Sequence, residues 1–76
     1  MDTLQCKMAR AALGLGVREL AALANVSPNT VARLERGEEL KFSTVATIQA
    51  ALESAGIEFI DAGGGKGVGA RLRSAA

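Results

Sequence analysis

Histidine, tryptophan and tyrosine are absent from this 76-residue chain, cysteine and proline occur once each, and only Phe42 and Phe59 are aromatic. Each absence removes a class of function or a source of stability. One cysteine cannot form an internal disulfide, and without histidine the common zinc sets cannot be assembled. No nucleophile–base pair, metal set or GxxxxGK[ST] phosphate loop is present, so neither an enzyme nor a cofactor is expected. The segment AGGGKG at 62–67 lacks the spacing and the following helix of a phosphate loop. No apolar run nears the roughly 20 residues of a membrane span. The start, MDTLQCK, lacks the basic-then-apolar order of a signal peptide, so a cytoplasmic protein is expected. A domain this small buries only about 60 % of its unfolded surface. Its stability must therefore come from packing, alone or with self-association.

Apolar residues make up 49 % of the chain, with many alanines, which favour helix. Charge is unevenly placed. Residues 1–61 carry six cations against eight anions, a net of −2, while 62–76 carry Lys66, Arg71 and Arg73 and no acid. Bulk charge therefore does not mark a nucleic-acid binder, and any such role must rest on where the cations stand.

Four helices and a β segment are predicted, with no internal repeat. Asp2 or Thr3 can cap a helix over 3–13, with Leu4, Met8, Ala11 or Ala12, and Leu15 on one face. A second helix, 17–24, follows Gly14 and Gly16, with Leu20, Ala21, Leu23 and Ala24 inward and Arg18, Glu19 and Ala22 outward. Ser27-Pro28 is a strong start for a third, because Ser caps and Pro suits the first helical position. This helix runs from 28 to about 36 with Val31 and Leu34 inward, and Gly37 ends it. Ser43 can cap a fourth, 44–55, with Val45, Ile48 and Leu52 inward and Gly56 at its end. Ile57-Glu58-Phe59-Ile60 reads as a strand. A flexible 62–67 connector leads to Val68–Arg73, which alternates apolar and polar like a second strand. A hairpin is the simplest reading, and a Gly-rich tail after one strand is the alternative. Cys6 falls off the apolar stripe and is expected to be a passive, partly exposed thiol, with no second cysteine to resolve an oxidised form.

The stretch 16–37, GVRELAALANVSPNTVARLERG, is two short helices about a tight turn, the helix-turn-helix plan. Ala21 is small enough for a close crossing. Asn25 is the best non-Gly residue for a left-handed turn position. Val26 plugs the turn into the core, and Val31 and Leu34 anchor the second helix from below.

On Leu20, Ala21, Asn25, Val26, Ser27, Thr30, Val31, Leu34, Glu35 and Gly37, framed by helices at 3–13 and 44–55, residues 3–56 resemble the Cro and phage-repressor type of helix-turn-helix regulator, the XRE family. The resemblance implies a mostly α, compact four-helix, lambda-repressor-like domain over 1–56. The C-terminal strand, hairpin or tail over 57–76 is left as a dimerisation element. It also implies an arginine–glutamate pair between the first and third helices, here Arg10 and Glu35. The chain departs from the family in three places. Asn25 replaces a turn glycine, Val17 replaces a glutamine that commonly reaches a phosphate, and the loop after the third helix is acidic at Glu38-Glu39. A fifth helix, through which family members commonly dimerise, is replaced by strand.

In this fold the third helix enters the major groove N-terminus first. With Val31, Leu34 and Glu35 inward, its outer face is Pro28, Asn29, Ala32, Arg33 and Arg36. Asn bonds adenine and Arg bonds guanine through paired hydrogen bonds, so Asn29 and Arg33, one turn apart, are the candidate base readers, and Ala32 can meet a thymine methyl. Ser27, Pro28, Thr30, Arg36, Lys41 and Ser43, with the helix starts near Val17 and Thr44, are candidate phosphate contacts, which position rather than specify. Double-stranded DNA is the expected partner. Regulators of this type usually double up on two half-sites, and these residues hold no separate effector domain. A homodimer is therefore expected through Ile57, Phe59, Ile60, Val68 and Leu72, where an apolar strand edge needs pairing. The function expected is a sequence-specific transcriptional regulator. The alternative is an antitoxin-like or other protein-interaction module, favoured by the acidic body and by Glu38-Glu39.

Overall fold

A computed structural model of the chain describes residues 1–74, so the last two residues of the 57–76 segment lie outside the described residues. Four helices, α1 (Thr3–Leu13), α2 (Val17–Ala24), α3 (Pro28–Glu35) and α4 (Phe42–Ser54), precede two strands, β1 (Ile57–Ile60) and β2 (Gly69–Leu72). The strands pair antiparallel in the register Ile57↔Leu72, Glu58↔Arg71, Phe59↔Ala70 and Ile60↔Gly69. The hairpin reading is therefore the correct one of the two.

One core joins all four helices to the hairpin: Cys6, Ala9, Leu20, Ala21, Ala24, Val31, Leu34, Ile48, Leu52 and Ile57. The phase of α1 differs from the expected one. Gln5, Cys6 and Ala9 are buried, whereas Leu4 is 53 % exposed, and Ala11 and Ala12 face solvent. Polar bonds explain the difference. Gln5 Nε2 donates to the carbonyls of Ile60 and Gly69, both at 3.1 Å, while Gln5 Oε1 accepts from the Asp2 N–H at 3.0 Å. The same side chain thus completes the capping box of α1 and ties the helix to the last rung of the hairpin. Rotating α1 to bury Leu4 would break both of these bonds and the capping box together. Cys6 therefore sits fully buried rather than partly exposed, and small Cys6 and Ala9 let α1 lie close to its neighbours.

In α2 the buried stripe is Leu20, Ala21 and Ala24, with Val17 packed beside it, and Leu23 lies on the flank, half exposed. α4 begins two residues earlier than expected. Lys41, extended at φ −58° and ψ 142°, is its N-cap and makes no side-chain capping bond. Ser43 is therefore inside the first turn and caps nothing; its carbonyl accepts from the Thr47 hydroxyl. Phe42 is left 87 % exposed.

The expected flexible connector is an ordered turn. Gly63 and Lys66 exchange backbone hydrogen bonds of 3.0 and 2.9 Å around Gly64 and Gly65, both with positive φ (59° and 78°). Two consecutive left-handed residues make the tight turn whose twist matches a hairpin, and glycine adopts it without strain.

The hairpin belongs to the domain's own core. Ile57 is only 1 % exposed, Phe59 and Ala70 pack against the core, and Val68 is half-buried. Ile57 and Phe59 thus pack within the protomer. Only Ile60 and Leu72 of the five candidates are exposed. They sit at opposite ends of the ladder and on opposite faces, because cross-strand partners share a face and Leu72 partners the inward Ile57.

Candidate nucleic-acid interface

The turn between α2 and α3 rests on Asn25, the one non-glycine residue with positive φ (56°) among the described residues. Its N–H bonds the Ala22 carbonyl, and the Val26 N–H bonds the Ala21 carbonyl, so the end of α2 is closed by the turn itself. Val26 packs on the core. Ser27 caps α3 by accepting from the Thr30 N–H at 3.2 Å, and the two hydroxyls lie 2.9 Å apart. Pro28 follows as the first residue of the helix, where its missing N–H has no consequence.

Val31 and Leu34 are buried and fix how α3 is rotated. That rotation leaves Pro28, Asn29 and Arg36 exposed and Ala32 and Arg33 half-buried on the outer side. Thr30, Arg33, Lys41 and Thr44 line one shallow cleft between α3 and the start of α4, together with Glu39 and Leu40. Four of the expected phosphate and base contacts are thereby brought together. Val17 opens α2 on a different element, and there the Glu19 carboxylate already accepts the Gly16 N–H at 2.9 Å.

Beneath the interface, Arg10 and Glu35 form a two-pronged ion pair, with Nε to Oε2 at 2.9 Å and Nη2 to Oε1 at 2.8 Å. Arg10 Nη1 also donates to the Leu15 carbonyl, and the Cys6 thiol donates to Glu35 at 3.4 Å. Burial alone would raise the Glu35 carboxyl, but hydrogen bonds from Arg10 and Cys6 and the Arg10 charge hold it below its ordinary value. Burial, then the Glu35 charge, pushes the Cys6 thiol up to about 12. A thiol so placed stays protonated and serves as a small apolar residue with one weak donor.

The first acid of the loop after α3 is paired with the arginines of that helix. Glu38 folds back onto the outer face of α3, where Oε1 accepts from Arg33 Nε at 3.0 Å and Oε2 accepts from Arg36 Nε and Nη2 at 3.0 and 2.8 Å. These bonds hold the Glu38 carboxyl below the ordinary value. Sequence reasoning missed this clamp. The signal lay in the order Arg33-x-x-Arg36-Gly37-Glu38, since a left-handed glycine after a helix turns the next residue back over its last turn.

A short helix, a left-handed asparagine, and a second helix that buries one face and displays amide and guanidinium groups on the other define a helix-turn-helix domain. A family model described as Helix-turn-helix, of the XRE or Cro/C1 type, matches residues 7–58, and the chain belongs to that family of DNA-binding regulators. No curated protein matches it at a significant level. Among the described residues, no helix is long and apolar enough to cross a membrane.

Proposed function

We propose that this chain is a sequence-specific DNA-binding transcriptional regulator that inserts α3 into the major groove of an operator. The observation that carries the proposal is the rotation of α3. Val31 and Leu34 bind it to the core, and Asn29 and Arg33, one turn apart, stand on the face left outward. Asn29 reads adenine and Arg33 reads guanine, each through paired hydrogen bonds worth about 1–3 kcal/mol against a wrong base, and Ala32 meets a thymine methyl. Ser27, Pro28, Thr30, Arg36, Lys41, Ser43 and Thr44, with the backbone at Val17, track the phosphates on either side. One module engages few phosphates, so two copies bind half-sites about 34 Å apart. With Ile57 and Phe59 committed to the core, a second copy pairs along a strand edge beside Ile60 or Leu72.

A protein-interaction role is the second reading. It draws on Phe42, exposed at the start of α4, and on an acidic body that does not attract DNA at long range. A gel-shift titration against the DNA upstream of the chain's own gene, over a salt series, separates the two. Binding should weaken with salt and favour one sequence, and Arg33→Ala should relax preference at one base pair. Absent binding at low salt, or indifference to sequence, would leave the protein-interaction reading standing. Gel filtration over a concentration range tests the pairing, which a concentration-independent monomer rules out.

A further inference from the structure

Glu38 bonds both arginines of the outer face of α3, and its place is set by backbone geometry. Gly37 adopts φ 87°, its N–H bonds the Leu34 carbonyl at 3.0 Å, and the Glu38 N–H bonds the Arg33 carbonyl at 3.1 Å. This pair of bonds is the Schellman ending of a helix. It returns Glu38 to the turn that carries Arg33, so the carboxylate reaches the guanidinium from behind rather than by a chance swing of a surface chain.

The two arginines are held differently. Arg36 is gripped along its side, through Nε and Nη2 together. Arg33 is gripped through Nε alone. Guanidinium donors are planar and fixed, so a bond at Nε orients the whole group while leaving the Nη1 and Nη2 edge unspent. That edge carries the parallel N–H pair that matches O6 and N7 of guanine.

We propose that Glu38 is a positioning residue for base recognition, holding Arg33 by Nε so that its Nη1/Nη2 edge is presented to guanine. The proposal rests on the reading of Arg33 as a base contact. It explains why an acid is tolerable beside a polyanion. Both oxygens of the carboxylate accept from arginines, and the ordering of Arg33 happens before DNA arrives rather than on binding. A carboxylate in this place lowers general attraction to phosphates and raises discrimination between bases.

The test uses the full chain and duplexes selected by the wild type from a random-sequence library. The base pair whose preference is lost in Arg33→Ala defines the position read by Arg33. At that position Glu38→Ala should lower the preference for guanine about tenfold, while binding to unselected duplex rises because an acid is gone. Glu38→Gln, whose amide oxygen can still accept from Nε, should recover part of the preference. In the free protein, the Arg33 Nε–H nuclear magnetic resonance should be protected from exchange in the wild type and lose that protection in Glu38→Ala. If Glu38→Ala shifts binding to every duplex by one factor and leaves the preference intact, Glu38 acts as charge alone and the positioning role is overturned. If Arg33→Ala itself leaves every preference intact, the base-reading assignment fails, and the positioning role falls with it.

Discussion

Replacing Arg10 by methionine is the sharpest test of how this small domain holds α1 to α3. Methionine keeps most of the aliphatic stem, so the change isolates the charge and its three hydrogen bonds: two to Glu35, at 2.9 and 2.8 Å, and one to the Leu15 carbonyl at 3.2 Å. Glu35 is left with the Cys6 thiol as its side-chain hydrogen-bond partner, and its side chain is just 9 % exposed. Breaking a well-buried pair costs about 3–5 kcal/mol. Arg10 itself keeps 26 % of its side-chain exposure, which places this pair lower, at about 2–4 kcal/mol. A domain of this length has a total stability of about 4–11 kcal/mol, and each kcal/mol moves its melting temperature by about 4–8 °C. The variant should thus melt at least about 8 °C lower at pH 7, read by circular dichroism.

The pH dependence supplies the stricter check. In the wild type, the folded-state value of Glu35 lies below its unfolded value. The stability it contributes is complete above the unfolded carboxylate range, near pH 4.5, and is lost as pH falls through the depressed value. In Arg10→Met, burial remains without the guanidinium, so the Glu35 value rises above the unfolded one. The penalty is then full at pH 7 and disappears as pH falls below the unfolded range. The two stability curves must converge in acid. The double variant Arg10→Met, Glu35→Leu, which removes both charges, should recover most of the loss, because an apolar pair can replace a buried ion pair with little net change. A loss below about 0.5 kcal/mol at pH 7, or parallel pH curves, would mean the pair is a solvated surface contact and the reasoning is wrong.

Two further outcomes follow from the buried end of α1. Gln5→Ala should cost about 1–3 kcal/mol by unpairing the Ile60 and Gly69 carbonyls. Hydrogen exchange should quicken in the hairpin before it does in α4, and equal change in both would show that Gln5 is not the hairpin's tie. Cys6, with its thiol pushed up from 9.0 to about 12 and no exposed surface, should alkylate with iodoacetamide at least about a thousandfold more slowly in the native than in the denatured protein. Rapid native labelling would contradict the packing of α1.

How much was legible in the sequence differs from element to element. The turn was readable because its physics is local. Asn25, Ser27 and Pro28 each favour one backbone state whatever lies around them, and the structure finds a left-handed Asn25, a capping Ser27 and Pro28 at the first helical position. The phase of α1 was not readable from apolar spacing, because long-range polar bonds from Gln5 and Arg10 outweigh the burial of Leu4. The start of α4 differs from the capping signal. Ser43 has the chemistry of a cap, but it lies inside the first turn, with Lys41 at the N-cap.

The outer face of α3 lies between these cases. Its residues follow from periodicity once Val31 and Leu34 are placed inward. That Arg33 is held by Glu38 follows only from the left-handed turn at Gly37 and the closeness it creates.

By itself, then, the sequence determined the helix-turn-helix and the face it shows, because capping, turn conformation and helical spacing act within a few residues. Only the tertiary structure decided two further matters. The face of α1 is set by hydrogen bonds across 55 and 64 residues of chain. Ile57 and Phe59 belong to the core because the hairpin folds back onto α1 and α4.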